Sequence, residues 1–219
     1  HMAPNADMPN KAAQFDSFSL ANMVPQAPKN NQQVWRELEE ATRALVTKQK
    51  LDVFVVTGPV FQGKKLKTIG QGVIVPSAVY KAVYMPKTGA IGAYYAPNDN
   101  SQQVRIVSVC YLEEQLGVNL FPQLTEEQKR NTYKLPLTAT AVKANSAIQY
   151  SHWDAESQCA EEVSSEQLKA LQKNFKSGST QSSSGSTVKT GTGIDAADQD
   201  AIVKQLVDAL LQYILQLLR

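Results

Sequence analysis

The chain is poor in the residues that build metal clusters and covalent frameworks. Among its 219 residues are only two histidines, two cysteines and two tryptophans. Cys110 and Cys159 lack the close paired spacing of a zinc site and are too few for a disulfide scaffold. They read either as one disulfide in an oxidising compartment or as two buried thiols. Charge of one sign is lacking too. Lys and Arg number 22 against 20 Asp and Glu, a formal net charge of +2. That charge is too small to mark a nucleic-acid binder by itself, and any basic surface must be local. No uninterrupted apolar run reaches the roughly 20 residues of a membrane-spanning helix. No secretory leader is visible. A start at His1-Met2 reads as a cloning remnant or as a piece of a longer chain, so that absence excludes nothing.

What is present is an ordinary globular composition, 42% hydrophobic and 19% charged, on a chain long enough for one domain with a substantial core. Residues 1–176 alternate apolar strands with short helical patterns. Residues 177–193, "SGSTQSSSGSTVKTGTG", hold almost nothing apolar and read as a flexible linker. Residues 194–219 read as one amphipathic helix. Val203, Leu206, Leu210, Tyr213 and Leu217 recur at alternating three- and four-residue steps, the seam of a short coiled coil. Few basic residues line its polar face, which argues against a membrane-surface helix. The remaining choices are packing back on the body and self-association, and the seam spacing favours a homo-oligomer.

Within the body, "VWRELEEATRALVTKQK" has the apolar spacing of a helix, with Asn30 placed to cap its start. "DVFVVTGPVF" reads as a strand stopped by Gly58-Pro59. "GVIVPSAVYKAVYMP" and "AIGAYYAP" read as neighbouring strands with Gly89 in the turn. "RIVSVC" continues the strand pattern before a short helix, "YLEEQLG", ended by Gly117. A last helix is expected near "SEQLKALQKNF". Strands with a few helices give an α+β class.

One helical stripe carries chemistry. Asn31, Trp35, Glu39 and Arg43 are spaced by four, so each lies about 40° round from the last. Trp35 borders the apolar face, and Asn31, Glu39 and Arg43 share a polar edge. An amide oxygen and a carboxylate suit a hydrated Mg²⁺, and a guanidinium suits phosphate oxygens. On the residues alone, Glu39 and Arg43 also read as a simple surface pair.

The segments "HMAP", "SLANMVPQAPKNNQQVWRELEEATR" and "VFVVTGPVF" together resemble the DNA/RNA non-specific endonucleases, the ββα-metal nucleases. The family pattern of a histidine with Ala-Pro is met by His1, Ala3 and Pro4. Its Asn-x-x-Pro-Gln segment is met by Asn22, Pro25 and Gln26, and its Asn-x-x-x-Trp-x-x-x-Glu helix by Asn31, Trp35 and Glu39. The resemblance runs to about residue 140. It lacks the family's Asp-Arg-Gly before the histidine and the strands upstream, so it implies a C-terminal portion of such a nuclease.

The resemblance implies a mostly antiparallel central sheet with flanking helices. It implies a hydrolase in which His1 is the general base and Asn31 the direct protein ligand to one Mg²⁺ (or Mn²⁺). Glu39 would orient water, Arg43 would bind phosphate, and Asn22 would hold the site together. Substrates would be DNA and RNA, cut without sequence preference to leave 5′-phosphate ends. The location would be periplasmic or secreted. Lys64, Lys65 and Lys67 in "GKKLKTIG" are candidates for further phosphate contacts, or simply a soluble turn. Asp7 and His152 stand outside the expected set. The competing reading is a catalytically inactive, nuclease-derived module for binding nucleic acid or protein.

Overall fold

A computed structural model describes residues 1–161. The helix expected near "SEQLKALQKNF", the linker at 177–193 and the terminal helix at 194–219 lie outside the described residues. The chain opens with a 3-10 turn at Asn5–Asp7 and a short helix α1 (Lys11–Asp16). Asn10 starts α1, its side chain accepting from the Ala13 amide at 2.9 Å. A π-helical turn over Asn30–Trp35 then runs without a break into α2 (Arg36–Gln49).

The helix thus begins earlier than its apolar spacing predicts, and Asn30 does not cap it. Its amide is committed elsewhere: Nδ2 donates to the Pro97 carbonyl at 2.9 Å and Oδ1 accepts from Gln26 at 2.9 Å. α2 ends at Lys50, whose φ of 55° turns the chain out of the helix.

The central sheet is antiparallel throughout. It contains β1 (Phe54–Val60), β4 (Ala78–Met85), β5 (Ala90–Pro97) and β6 (Arg105–Val107), in that spatial order. Between β1 and β4 lies the small hairpin of β2 (Thr68–Ile69) and β3 (Val73–Ile74). β4 and β5 are joined by the tight turn at Gly89, φ 71°. Helix α2 covers one face of the sheet, where Trp35, Leu38 and Leu45 meet Val79, Val83 and Tyr94. On the other face Val109 and Leu112 of α3 (Val109–Leu116) meet Tyr80, Ala82 and Ile91. Burial on both faces explains why β4 reads as a nearly continuous apolar run rather than an alternating one.

Three strand boundaries differ from the sequence reading. The run "GVIVPSAVYKAVYMP" is not one strand but two, β3 and β4, in different sheets. Gly58-Pro59 does not stop β1, which continues to Val60 with Pro59 opposite Val79. β1 is an edge strand, where a missing N–H breaks no ladder bond on the outer side. Gly58 is there for a different reason: a Cβ would lie within 2.9 Å of the Tyr80 ring. The strand in "RIVSVC" ends at Val107, and Ser108 starts α3 by accepting from the Tyr111 amide at 2.9 Å. Gly117, φ 66°, closes α3 as expected.

Beyond α3 come α4 (Glu126–Arg130) and a hairpin of β7 (Asn131–Tyr133) with β8 (Tyr150–Trp153). Cys110 of α3 and Cys159 after β8 form a disulfide, which resolves the choice the sequence left open.

Candidate active site

The N-terminal segment is stitched in place by Asn22. Its Oδ1 accepts from the Ala3 amide at 2.8 Å, and its Nδ2 donates to the carbonyls of Ala3 and Ser17, both at 2.9 Å. The Met2 amide adds a bond to the Asn22 carbonyl at 2.8 Å. Met2 is buried in the α2 core beside Trp35. An asparagine that mimics a peptide group on both its edges leaves the neighbouring His1 little freedom. The His1 ring stands edge-on to Phe18, centroids 4.6 Å apart. Its Nε2 is shielded from solvent and has no hydrogen-bond partner among the described residues.

The helix that faces this segment is also locked. Asn98, at the end of β5, accepts from the Ala27 amide at 2.7 Å and donates to the carbonyls of Pro25 and Pro76 at 2.9 Å. Ala27 accepts from the Asn31 amide at 2.9 Å. Asn98 and Asn30 therefore fix where the π-turn begins. That turn widens the helix at Asn31, a device that recurs at functional sites. The Asn31 side chain is half-buried and spends its amide on no described residue.

Below Asn31, Trp35 is 1% exposed, and its indole nitrogen has no partner among the described residues. The Lys81 ammonium lies 5.2 Å from the Trp35 ring centroid and donates to Thr57 Oγ1 at 3.1 Å. Glu39 is half-buried, and burial pushes its carboxyl up to about 7, against the opposing pull of Lys81, the His1 amino group and Arg43. Arg43 reaches back to the N-terminal segment and pairs with Asp7, Nε to Oδ1, at 2.5 Å.

The structure thus brings His1, Asn22, Glu39 and Arg43 into one neighbourhood, with Asn31 at the head of the same helix. Sequence reasoning left Asp7 aside, missed Lys81 and Asn98, and gave Asn30 a capping role that the structure does not bear out. A lysine in the middle of "AVYKAVYM" was the available signal, since a strand buried on both faces has no place for an unpaired charge. Lys64, Lys65 and Lys67 are exposed in the loop after β1, and no described bond joins them to the site.

Among the described residues no three His, Cys, Asp or Glu side chains cluster. The neutral amide oxygen of Asn31 is a donor that suits a hard cation that keeps most of its waters, as Mg²⁺ does.

Residues 1–127 match the family model of DNA/RNA non-specific endonucleases. The chain belongs to that family. Its four-stranded antiparallel sheet and flanking helices are those of a ββα-metal nuclease fold. The chain is 36% identical over 149 residues to the mitochondrial nuclease EXOG of Danio rerio, covering 58% of this chain and 43% of the relative. It is 32% identical over 142 residues to a nuclease of Nostoc sp., with 57% and 50% covered. Against human mitochondrial endonuclease G it is 34% identical over 102 residues, with 41% and 34% covered. The chain therefore spans half or less of the length of these curated relatives.

Proposed function

We propose that this chain carries the catalytic centre of a metal-dependent nuclease that hydrolyses phosphodiester bonds in DNA and RNA without sequence preference. The observation that supports it most is His1 Nε2: shielded, without a partner among the described residues, and at the start of the segment that Asn22 fixes through Ala3. In this reading His1 Nε2 takes a proton from the attacking water. The water oxygen bonds to phosphorus, the bond from phosphorus to the 3′ oxygen breaks, and the 5′-phosphate end remains. Arg43, tied through Nε to Asp7, keeps its terminal nitrogens for phosphate oxygens. Glu39 orients water in the site. Asn31 would hold Mg²⁺ (or Mn²⁺) through its amide oxygen. That ion supplies Lewis-acid stabilisation of the charge that builds on the phosphate and the leaving oxygen.

Lys64, Lys65 and Lys67 would extend the backbone contacts that make such binding indifferent to sequence. The Cys110–Cys159 disulfide supports a periplasmic or secreted location, since disulfides persist in oxidising compartments. The EXOG and endonuclease G relatives are themselves named as mitochondrial. No helix among the described residues is long and apolar enough to cross a membrane. A second copy of the chain is the proposed partner of the apolar seam at residues 203–217.

Plasmid DNA and a single-stranded RNA, each incubated with the full chain and Mg²⁺, are expected to be cut. EDTA should stop both reactions, and DNA ligase should rejoin the nicked plasmid through its 5′-phosphates. Binding without cutting over a full range of Mg²⁺ and Mn²⁺ would replace this reading with the inactive binding module.

A further inference from the structure

Lys81 is the one charged side chain in the middle of the central sheet. It stands on β4 opposite Thr57 of β1 and Tyr94 of β5, and it is 2% exposed. Six of its seven companions in β4 are buried and uncharged. An ammonium in such a place has three protons to donate and gives one to a neutral hydroxyl, Thr57 Oγ1, at 3.1 Å. The Trp35 ring, 5.2 Å away, adds a favourable but weak contact. Neither meets the cost of burying a full charge, which in proteins is normally offset by an opposite one. The opposite charges near Lys81 are Glu39 from α2 and Asp7 from the N-terminal segment. Neither touches it closely enough to form an ion pair, so the coupling acts through the low-dielectric interior.

We propose that Lys81 is a positioning residue of the nuclease site. Anchored on Thr57 and packed over Trp35, its ammonium is the fixed counter-charge that favours the ionised form of Glu39, one helical turn beyond Trp35. The inference rests on the nuclease reading for its purpose and on the packing for its geometry. A methionine would fill the same space at lower cost, so the charge itself is what the position requires. The groups that face Glu39 support this. They are Lys81 from the sheet, the His1 amino group and Asp7 from the N-terminal segment, and Arg43 from the same helix. Burial drives the Glu39 carboxyl upward, and Lys81 is the strongest of the charges that oppose it. Thr57 and Trp35 act one step further back, by deciding where the ammonium sits.

The test uses the full chain in metal-free buffer, with the Glu39 carboxyl followed by ¹³C NMR as pH is varied. In Lys81→Met the Glu39 midpoint should rise by about one pH unit or more. Lys81→Arg, which restores the charge, should bring it back toward the wild-type position. In Mg²⁺-supported plasmid nicking, the acid limb of the pH–rate profile should move in the same direction as the NMR midpoint. A folded Lys81→Met protein whose Glu39 midpoint does not move overturns the proposal. If Lys81→Met does not fold, Thr57→Val keeps the charge and removes its anchor. A smaller upward shift there supports the proposal, and none overturns it. The NMR readout needs no catalysis, so a wild-type chain that fails to cut nucleic acid overturns the nuclease reading alone.

Discussion

Arg43 donates from Nε to Asp7 Oδ1 at 2.5 Å, joining α2 to the first 3-10 turn of the chain. The pair is partly exposed, 33% for Arg43 and 40% for Asp7. As a surface ion pair it is worth no more than about 1 kcal/mol of stability. In the proposed mechanism its significance is orientational: one edge of the guanidinium is fixed on Asp7 and the other would serve phosphate. Arg43→Ala is expected to lower the nicking rate about 100-fold, the scale of losing one transition-state donor. Arg43→Lys should recover only a minor part, because an ammonium cannot serve Asp7 and a phosphate with one planar fork. Asp7→Asn should leave urea stability within about 1 kcal/mol while reducing activity. An Arg43→Ala protein that cuts at the wild-type rate would remove Arg43 from the site.

In the proposed mechanism His1 contributes chemistry, and its neighbours contribute the structure. Met2, not His1, is buried in the core, so His1→Ala should fold normally and lose about 10²–10⁴ in rate. Added imidazole should return part of that rate, since the missing group is a base. Asn22→Ala is a different kind of change. It removes three side-chain hydrogen bonds and should cost roughly 1–3 kcal/mol of stability as well as activity. Asn31→Ala should lose activity with its circular dichroism unchanged, because its side chain bonds to no described residue. Equal loss of stability in His1→Ala and Asn22→Ala would contradict this division of labour.

How much of this was legible in the sequence depends on the range of the interaction. β5 occupies Ala90–Pro97, the same eight residues as the apolar run "AIGAYYAP". The Gly117 stop and the Gly89 turn were also readable, because backbone conformation is a local matter. The start of the main helix was not. It is set by Asn30 and Asn98, whose bonds to Pro97, Pro25 and Ala27 span some 70 residues. Pro59 misled for the same reason, since only the sheet order shows β1 to be an edge. The resemblance singled out His1, Asn22, Asn31, Glu39 and Arg43 as candidates, but charges that act on Glu39, those of Lys81 and Asp7, come from elsewhere in the chain.

Glu39 gives a pH dependence with a definite sign. Its carboxyl is raised in the folded protein from the ordinary 4.5 to about 7, chiefly by burial. The folded state therefore holds a proton that the unfolded state has released, and the stability this contributes is fully present below about 4.5 and lost as pH rises through about 7. Urea unfolding in EDTA should show the wild type losing stability over that window relative to Glu39→Gln, which cannot ionise. The two curves should run parallel below pH 4.5, the ordinary value. Parallel curves across the whole range would mean that Glu39 is not held in a buried, charge-poor setting.

The Cys110–Cys159 disulfide separates stability from chemistry. It links α3 to the segment after β8 across 49 residues of sequence. Polar bonds reinforce the same junction: Ser108 Oγ donates to Asp154 at 2.5 Å, and the Ala160 amide donates to the buried Glu113 carboxylate at 3.2 Å. A loop of that length, once closed, stabilises a fold by about 2–4 kcal/mol, mainly by restricting the unfolded chain. α3 packs on the face of the sheet opposite the one that carries α2, so nothing in the candidate site leans on it directly. Reduction with dithiothreitol, or the paired change Cys110→Ser and Cys159→Ser, should lower the urea midpoint by an amount equivalent to about 2–4 kcal/mol. The nicking rate well below the reduced protein's unfolding transition should stay unchanged. A reduced protein that remains equally stable but loses its activity would show that the two faces of the sheet are coupled, and that the disulfide belongs to the site.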